Sequence, residues 1–431
     1  MPTLACHTLG CKVNQYDTEA MKELLCADGY SIVSINDPAD VYLLNTCTVT
    51  GTGDRKSMQL ARRLKRLHPG SKLILCGCMA QLQGEKLLSV GADLVLGTQH
   101  RTQVAALLRQ VIENGTPLCA VEKLPENMPF ERLQVTSHQE HTRAVLKIQE
   151  GCRNRCSYCI IPEVRGPVRS RPLDDIRAEA ERLAHVGFRE IVLTGIHISS
   201  YGLDFTPASS LLDVIHILEE TKGIIRIRLG SLEPGIATAA FSEALHGCRK
   251  VCPQFHLALQ SGSDSVLKRM RRRYLSGTYL EAVDHLRSFF PDAAFTTDIL
   301  TGFPGETEEE FEATKSMIRQ VGFARIHVFP YSPRPGTPAA TMEGQLSETV
   351  KQQRAKKLIA LGNETALCYN RRWIGRVVEV LPEEKTDGCW EGYTPEYLRV
   401  RLNPEAECCS GVPVSVLLKS FSPRYLGGVM I

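Results

Sequence analysis

The sequence has no long hydrophobic run and little net charge. No apolar stretch approaches the roughly 20 residues that a membrane-spanning helix needs. The N-terminus lacks the basic segment followed by an apolar one that is typical of a secretory leader. A formal net charge of +3 over 431 residues does not by itself indicate a nucleic-acid partner. We therefore expect a cytoplasmic protein with no membrane association, and the length predicts two or three domains.

Cysteine, in contrast, is abundant, with 16 in the chain. In a reducing compartment this number indicates metal or redox chemistry before disulfides. Cys152, Cys156 and Cys159 have C-x3-C-x2-C spacing, which lets three thiolates hold one iron–sulfur cubane and leaves its fourth iron open. An open coordination position is typical of a reactive metal site. Zinc is the alternative, but a closed zinc site needs a fourth Cys or His nearby, and none follows.

The stretch from Glu150 to Cys159 resembles the signature of the radical S-adenosylmethionine (radical SAM) superfamily. Tyr158, the aromatic residue before the last cysteine, also fits that signature. The resemblance implies a [4Fe–4S] cluster whose open iron chelates the amino and carboxylate groups of SAM. It further implies that an electron from the cluster cleaves SAM to a 5′-deoxyadenosyl radical, so an electron donor such as flavodoxin or ferredoxin is expected.

Residues 1–135 alternate between short apolar strands and helices, which predicts a parallel α/β sheet. Cys11, Cys47 and Cys78 each follow a predicted strand. Because ligands gather beyond the carboxyl ends of parallel strands, these three cysteines are expected to converge on a second site. Cys76, inside the strand, is the alternative to Cys78. The competing interpretation is that these cysteines are ordinary buried residues. That interpretation fits better the cysteines that lie within predicted strands or helices, which are Cys6, Cys26 and Cys119.

Three motifs around these cysteines resemble those of the methylthiotransferase family, and the likeness covers essentially the whole chain. The motifs are Thr8-Leu-Gly-Cys-Lys-Val-Asn-Gln-Tyr-Asp-Thr-Glu19, Asn45-Thr-Cys-Thr-Val49 and Gly77-Cys-Met-Ala-Gln81. The resemblance implies an auxiliary [4Fe–4S] cluster on Cys11, Cys47 and Cys78. In that family the free iron of this cluster holds a sulfur species that is methylated and inserted into the substrate.

Residues 136–370, after a polar linker at 121–141, contain six strand–helix pairs. Six pairs are short of the eight that close a barrel, so an open, partial (βα)6 barrel is predicted, which the radical SAM resemblance also implies. The predicted strands are Ala144–Ile148, Glu190–Thr194, Ile225–Leu229, His256–Gln260, Phe295–Leu300 and Arg325–Pro330. Active residues of such barrels lie at the carboxyl ends of the strands, and the cysteine stretch directly follows the first.

Small and polar residues follow the other strands. By resemblance, Gly195 lies where the superfamily binds the amino group of SAM, and Glu233 is a candidate acceptor for the ribose or the amine. A glycine after a strand is more often only a turn, and His197 alone is more often a hydrogen-bonded rim residue than a ligand. The complete set of predicted cofactor contacts is Tyr158, Gly195, His197, Glu233, Gln260 and Asp298.

A cluster of arginines follows the radical SAM stretch. Arg165, Arg169 and Arg171 are candidate contacts for RNA phosphates, and a solvated loop is the alternative. Two further basic runs, at residues 62–66 and 268–273, are either exposed helix faces or parts of an RNA-binding track.

Residues 371–431 change to short β segments, which predicts a small antiparallel β-barrel. The segment from Glu391 to Val400 resembles the TRAM domain, an OB-like RNA-binding module. Eight Lys and Arg balance eight Asp and Glu in this span, so RNA contacts have to come from one face. Arg372 is a candidate on that face.

The family resemblance implies insertion of a methylthio group at an unactivated C–H bond, with SAM as methyl donor and radical source. The motifs resemble most the branch that modifies C2 of N6-threonylcarbamoyladenosine (t6A) beside the tRNA anticodon, at position 37, giving ms2t6A. Isopentenyladenosine in tRNA and an aspartate of a ribosomal protein are the alternative substrates. A metal-stapled RNA-binding protein without catalysis is a competing hypothesis, and so is a radical SAM enzyme of different outcome whose first domain holds a structural cluster.

Overall fold

The computed structural model describes residues 1–48, 51–136, 142–422 and 424–431. Two regions of parallel sheet and helix are followed by a small closed β-barrel, which confirms the predicted α/β class. None of the helices in these residues is long and apolar enough to cross a membrane. Residues 137–141 of the predicted linker lie outside the described residues, and the domain limits at 135 and 370 stay predictions.

The N-terminal region is a six-stranded parallel sheet covered by helices on both faces. Its strands are β1 Thr3–Thr8, β2 Ser31–Val33, β3 Val41–Thr46, β4 Lys72–Gly77, β5 Leu94–Val95 and β6 Leu118–Cys119, and its helices are α1 Lys12–Ala27, α2 Gly51–Leu67, α3 Cys78–Gln83 and α4 Val104–Asn114. The strand order is β2-β1-β3-β4-β5-β6. The edge strands β2 and β6 are too short to leave a clear sequence pattern.

The second region has seven strands. They are β7 Ala144–Glu150, β8 Arg169–Ser170, β9 Glu190–Gly195, β10 Arg226–Arg228, β11 Gln254–His256, β12 Ala294–Thr301 and β13 Arg325–Pro330. One sheet has the order β10-β9-β7-β8 and the other β11-β12-β13, and isolated parallel bridges Ile227–Val251 and Leu232–Leu257 join them. Six parallel strands thus follow one another as predicted, while the short antiparallel β8 is an addition.

The helices of this region cover the outer face of its sheets, except for the short first helix, which follows the cysteine stretch and packs against Cys78. They are α5 Ile161–Arg165, α6 Leu173–Val186, α7 Leu211–Glu220, α8 Ala239–Gly247, α9 Asp264–Arg269, α10 Ser276–Phe289, α11 Glu308–Val321 and α12 Glu348–Arg371. The helical sequence pattern of residues 264–288 predicts one helix after the fourth strand. That prediction is wrong, because the chain leaves α9 after Arg269 and Arg271 takes a left-handed conformation with φ +56°. The break turns Arg272 and Tyr274 inward, where the Tyr274 hydroxyl donates to the Leu259 carbonyl at 3.1 Å.

The C-terminal region is a closed barrel, as predicted, but it is not wholly antiparallel, because the strands Arg399–Leu402 and Leu426–Met430 pair in parallel. Its strands are β14 Val377–Thr386, β15 Cys389–Tyr393, β16 Arg399–Leu402, β17 Val414–Phe421 and β18 Leu426–Met430, in the order β14-β15-β16-β18-β17. It docks near the amino-terminal ends of the second region's strands, where Arg226 pairs with Glu379 at 2.7 Å and Arg228 donates to the Pro395 carbonyl at 2.9 Å. The opposite, carboxyl ends are left for the cysteines.

Gly77 fixes the turn from β4 into α3. Its φ is +91°, and a Cβ there would overlap Asn45 Oδ1 and lie 2.6 Å from the Thr46 carbonyl oxygen. We predict that Gly77→Ala destabilises the protein by about 1–3 kcal/mol, since both the backbone and the neighbouring strand would have to shift. Gly70→Ala is the matched control, because nothing lies within 4 Å of its Cβ position. Equal unfolding midpoints in denaturant would contradict the prediction.

Candidate functional site

Three cysteines meet at one edge of the N-terminal sheet. β1, β3 and β4 lie side by side and parallel, so their carboxyl ends form a common edge. Cys11 precedes α1, Cys47 directly follows β3, and Cys78 begins α3 after β4. A Cβ at Gly10 would lie 2.8 Å from Cys47 Cβ, so the Cys11 turn packs against the Cys47 turn. The convergence expected from the strand ends is therefore present.

Cys78 is the member of this group that the fold buries. Burial, with the nearby Cys11 and Cys47, raises the pKa of the Cys78 thiol to about 11, against the opposing effect of Arg165. Cys76 instead lies in the hydrophobic core with Leu43 and Ile74. This difference in environment favours Cys78 over Cys76 as a metal ligand.

The other three cysteines occupy the loop after β7. Neighbouring elements fix this loop, because the Ser157 amide donates to the Met270 carbonyl at 3.0 Å and the Ala339 amide to the Ser157 carbonyl at 2.7 Å. Burial raises the pKa of the Cys159 thiol to about 12, and Cys156 and Cys152 lie close enough to add to the shift. The loop thus gathers its three thiols at the carboxyl end of the first barrel strand.

Each group supplies three thiols, and thiolates are the usual ligands of iron–sulfur clusters. Among the described residues, no three His, Cys, Asp or Glu side chains lie close enough together to hold one metal ion. Zinc would require every ligand within about 2.0–2.3 Å of one ion, whereas the thiolates of a cubane each bind a different iron. Metal coordination deprotonates a thiol. The two groups are each supplied with a cation, since Arg165 Nε donates to Cys78 Sγ at 3.1 Å and Arg272 Nη1 to Cys156 Sγ at 3.2 Å.

The two groups of cysteines are neighbours. Cys78 packs in one small apolar cluster with Ile160 and Val164. Ile160 is the residue after Cys159, so the contact joins the edge of the first sheet to the loop of the second. The two three-cysteine groups therefore adjoin one another where the two regions meet, and we call the space that both groups border the cleft.

Arg165 lies between the two groups and is completely buried. Besides Cys78, its guanidinium donates to Glu150 Oε1 at 2.6 Å, to Asp17 Oδ2 at 3.1 Å and to Asn14 Oδ1. Asn14 and Asp17 belong to α1, which begins at Cys11, and Glu150 ends β7 just before the second cysteine loop. One side chain therefore connects the segments of Cys11 and Cys78 with the strand that leads into the second cysteine loop.

Two further buried cations complete this network. Lys147 Nζ lies 2.6 Å from Asp17 Oδ1 and also contacts Glu150, and Arg101 pairs with the same two carboxylates. Burial alone would raise the pKa of both carboxyls. The surrounding cations, led by Arg165 at Glu150 and Arg101 at Asp17, instead hold the pKa of Glu150 well below its usual range and lower that of Asp17.

The predicted role of the arginine cluster in RNA binding is wrong for all three of its residues. Arg165, Arg169 and Arg171 are 0%, 3% and 1% exposed, so none of them can reach an RNA phosphate. Arg171 pairs with Glu179 at 2.6 Å, and Arg169 donates to backbone carbonyls of its own loop. The motif has a structural role, because its arginines bond to groups inside the fold. The motif alone does not reveal this role, since its carboxylate partners lie elsewhere in the sequence. Arg372, by contrast, is exposed on the surface and pairs with Asp292, and its RNA contact stays a prediction.

Glu233 and His197, both predicted cofactor contacts, form one hydrogen-bonded group. His197 Nε2 and Glu233 Oε2 are 2.6 Å apart, Asn154 Nδ2 donates to the same oxygen at 3.0 Å, and Arg272 Nη2 donates to Oε1 at 3.1 Å. Since Arg272 also contacts Cys156, Glu233 supports the cysteine loop. Asn154 and Arg272 are not among the contacts predicted from the sequence, although Asn154 lies inside the cysteine motif itself.

Of the remaining candidates, two lie beside the cysteine loop and its strand. The Tyr158 ring packs edge-on against Phe303, with centroids 6.4 Å apart. Gly195 ends β9 so close to β7 that its Cβ would lie 3.0 Å from the Gln149 carbonyl oxygen. A close backbone approach is therefore one reason for glycine at this position.

The last two candidates lie on the second sheet. Gln260 has φ +63°, and its amide donates to the Asp298 carbonyl at 2.9 Å. The Asp298 carboxylate lies 3.4 Å from His256 Nε2 and is about one-third exposed, at 35%. The fold brings both residues to the same end of the barrel as the cysteine loop, and their contacts with a cofactor stay predictions.

An open sheet of six parallel strands, with a three-cysteine loop after the first, defines a protein of the radical SAM class. Residues 146–318 match the radical SAM superfamily, and residues 3–97 match the uncharacterized protein family UPF0004. The match of the first region to a separate family agrees with its separate sheet.

Curated relatives extend over nearly the full chain. Threonylcarbamoyladenosine tRNA methylthiotransferase MtaB of Bacillus subtilis is 41% identical over 98% of this chain and 95% of its own length. The protein of the same name from Thermotoga maritima is 36% identical over 93% and 91%. The tRNA-2-methylthio-N(6)-dimethylallyladenosine synthase of Pelotomaculum thermopropionicum is 36% identical over 88% and 86%. This chain belongs to the radical SAM methylthiotransferase family, which implies SAM and a [4Fe–4S] cluster as cofactors.

A solved structure supports the fold. The radical S-adenosylmethionine methyltransferase TsrM from Kitasatospora setae, with cobalamin and a [4Fe–4S] cluster bound, has a TM-score of 0.58 and 15% sequence identity. The match covers 79% of this chain and 77% of that one.

The buried network provides a stability test. We predict that Arg165→Met destabilises the metal-free protein by about 3 kcal/mol, because Glu150 and Asp17 lose a buried partner. Denaturant unfolding measures the effect. Arg177→Met is the control, because the exposed pair of Arg177 with Glu220 is expected to contribute less than about 1 kcal/mol. Equal stabilities of Arg165→Met and the wild type would contradict the assigned role.

The environment of Glu233 predicts a pH dependence. Burial opposes ionisation, but the hydrogen bond from His197 and the charge of Arg272 lower the pKa of Glu233 from 4.5 to about 2. Ionised Glu233 therefore stabilises the folded state above pH ~4.5, and this contribution is lost as the pH falls towards ~2. In the metal-free protein, Glu233→Gln should cost up to about 3 kcal/mol at pH 7 and less at pH ~3.5. Exposed Glu220→Gln serves as control, and a pH-independent difference would contradict the prediction.

Proposed function

We propose that this protein inserts a methylthio group at C2 of t6A, at position 37 beside the anticodon of tRNA, giving ms2t6A. The observation that supports this most is the single cleft with three cysteines on either side, joined through Cys78 and Ile160. A substrate base in this cleft would be within reach of two metal centres. A structural metal site would not need a second group of ligands at the same cleft.

In this proposal Cys152, Cys156 and Cys159 hold the radical SAM cluster. Cys11, Cys47 and Cys78 hold a second, auxiliary [4Fe–4S] cluster. When bound, the clusters and SAM supply the radical, the sulfur and the methyl group that the reaction needs. The donor atoms suit this assignment, since thiolates are the usual ligands of such clusters.

The protein's own residues orient these ligands. Arg165 places a permanent positive charge beside the Cys78 thiol. It also links the Cys78 segment to Glu150, which lies directly before the other cysteine loop. Arg272 does the same for Cys156 and ties that loop to Glu233. Both guanidiniums stabilise thiolate over thiol, which favours cluster binding.

The assignment to t6A rests on the relatives. Two of those compared are named for threonylcarbamoyladenosine and one for dimethylallyladenosine, at 41%, 36% and 36% identity. Methylthiolation of isopentenyladenosine is the second candidate because of the last of these. An electron donor such as flavodoxin or ferredoxin and a cytoplasmic location, where tRNA is found, complete the proposal.

Mass spectrometry of nucleosides from bulk tRNA tests this function. Deletion of the gene should abolish ms2t6A while t6A accumulates, and the wild-type gene should restore it. Loss of methylthio-isopentenyladenosine instead would move the protein to the second substrate. No change in either nucleoside would contradict a role in tRNA modification and leave the ribosomal-protein substrate to be tested.

Cysteine variants separate the proposed chemistry from a structural auxiliary site. Cys78→Ala should retain reductive cleavage of SAM while it loses the methylthio product, because the radical SAM loop keeps its own ligands. Cys76→Ala is the matched control and should retain the product. Loss of SAM cleavage together with product in Cys78→Ala would favour a structural role for the first group.

A further inference from the structure

With Arg165, Arg169 and Arg171 buried, the contact with RNA phosphates has to come from another surface. Part of the charge in the basic run at 268–273 is neutralised within the fold, because Arg269 pairs with Glu310 at 2.6 Å and Arg272 pairs with Glu233 at 3.1 Å. The run at 62–66 differs. It belongs to α2, whose 17 residues include six basic side chains and one acidic one.

These basic residues form a line along α2. Positions 55, 59, 62 and 66 follow one another at intervals of three or four residues, which places them on one face of the helix. We name Arg55, Gln59, Arg62 and Arg66 the α2 stripe, and all four are exposed. At 1.5 Å per residue the stripe is about 16 Å long. Exposed Lys56 and Arg63 flank it.

Four basic side chains of α2 carry charge that no ion pair within the described residues neutralises. No ion pair involves Lys56, Arg62, Arg63 or Arg66 in the residues that the structure describes. The one acidic residue of α2, Asp54, pairs with Arg334 at 2.8 Å. An ordinary solvated helix face would also be exposed. The position of the α2 stripe relative to the cleft therefore decides between a solvated face and an RNA-binding surface.

α2 begins beside the cleft and leads away from it. Its first residue, Gly51, follows Cys47 by four positions, and a Cβ there would lie 3.4 Å from Ser332 Oγ. Arg334 of the same segment donates to both Thr48 and Asp54. A Cβ at Gly336 would lie 3.9 Å from Ile160 Cδ1, so this segment also borders the second cysteine group.

The chemistry of the stripe matches a phosphate backbone. Guanidinium groups pair with phosphate oxygens bidentately, and a line of them follows a chain of phosphates without reading bases. A membrane surface fits less well, because the apolar face of α2 is used within the fold, where Ala61 and Leu64 pack against the sheet. The exposed face is therefore predominantly basic.

We propose that the α2 stripe binds the phosphate backbone of the anticodon stem and thereby directs the anticodon loop into the cleft. This inference rests on the proposed function, in that it takes the substrate to be a structured RNA. It replaces the Arg165 loop with α2 as the site of phosphate contact. It assigns Arg62 and Arg66 to substrate docking, outside the reacting groups.

Binding of a synthetic anticodon stem-loop carrying t6A tests the proposal. The cluster-loaded full-length protein is titrated anaerobically with the RNA at several salt concentrations. The variant R62A/R66A should bind about tenfold more weakly at ~0.15 M salt, and the slope of log Kd against log salt should fall by about 2. KM for the RNA should rise while kcat is retained, because the chemistry at the cleft is unchanged.

R319A/K356A is the matched control, since both residues are exposed on α11 and α12 and remove the same charge. R62K/R66K should keep most of the affinity. Wild-type affinity and salt slope in R62A/R66A, or equal losses in the control, would overturn the proposal. If the wild type binds the RNA with the predicted dependence on the stripe but leaves t6A unmodified, the docking surface stands and the proposed substrate falls.

Discussion

A buried guanidinium between two cysteine groups is the interaction on which this cleft depends. Arg165 contacts Cys78, Glu150, Asp17 and Asn14, and it is completely removed from solvent. Isolated in a protein interior, such a charge would cost several kcal/mol, and the surrounding carboxylates offset that cost. Because the partners come from both sheets, the ion network specifies how the two regions meet.

The same arrangement links stability to function. The residues that satisfy Arg165 directly adjoin the predicted cluster ligands, since α1 follows Cys11 and β7 leads into Cys152. On the other side of the loop, Arg272 and Glu233 support Cys156 in the same way. The positions of the two groups of thiols are thus set by charged side chains that do not themselves hold metal.

Local pattern predicted the scaffold and the thiols. Strand–helix alternation located the six barrel strands, and the placement of cysteines after strands predicted their convergence, because parallel strands end at a common edge. What local pattern does not encode is the partner of a charge. Arg165 meets Glu150, Cys78 and Asp17 across 15, 87 and 148 positions, so its loop resembled an exposed basic segment. Local pattern does not predict the helix break at Arg271 for a related reason. The side chains that turn inward after the break are held by groups that are distant in the sequence.

Two separate iron–sulfur clusters are proposed for the cleft, and the iron content of the protein distinguishes two clusters from one. Iron and acid-labile sulfide are measured on anaerobically purified full-length protein and on the variant with Cys11, Cys47 and Cys78 all changed to alanine. We expect about eight irons per wild-type chain and about four in the triple variant. About four irons in both proteins, or zinc in place of iron, would contradict the proposal.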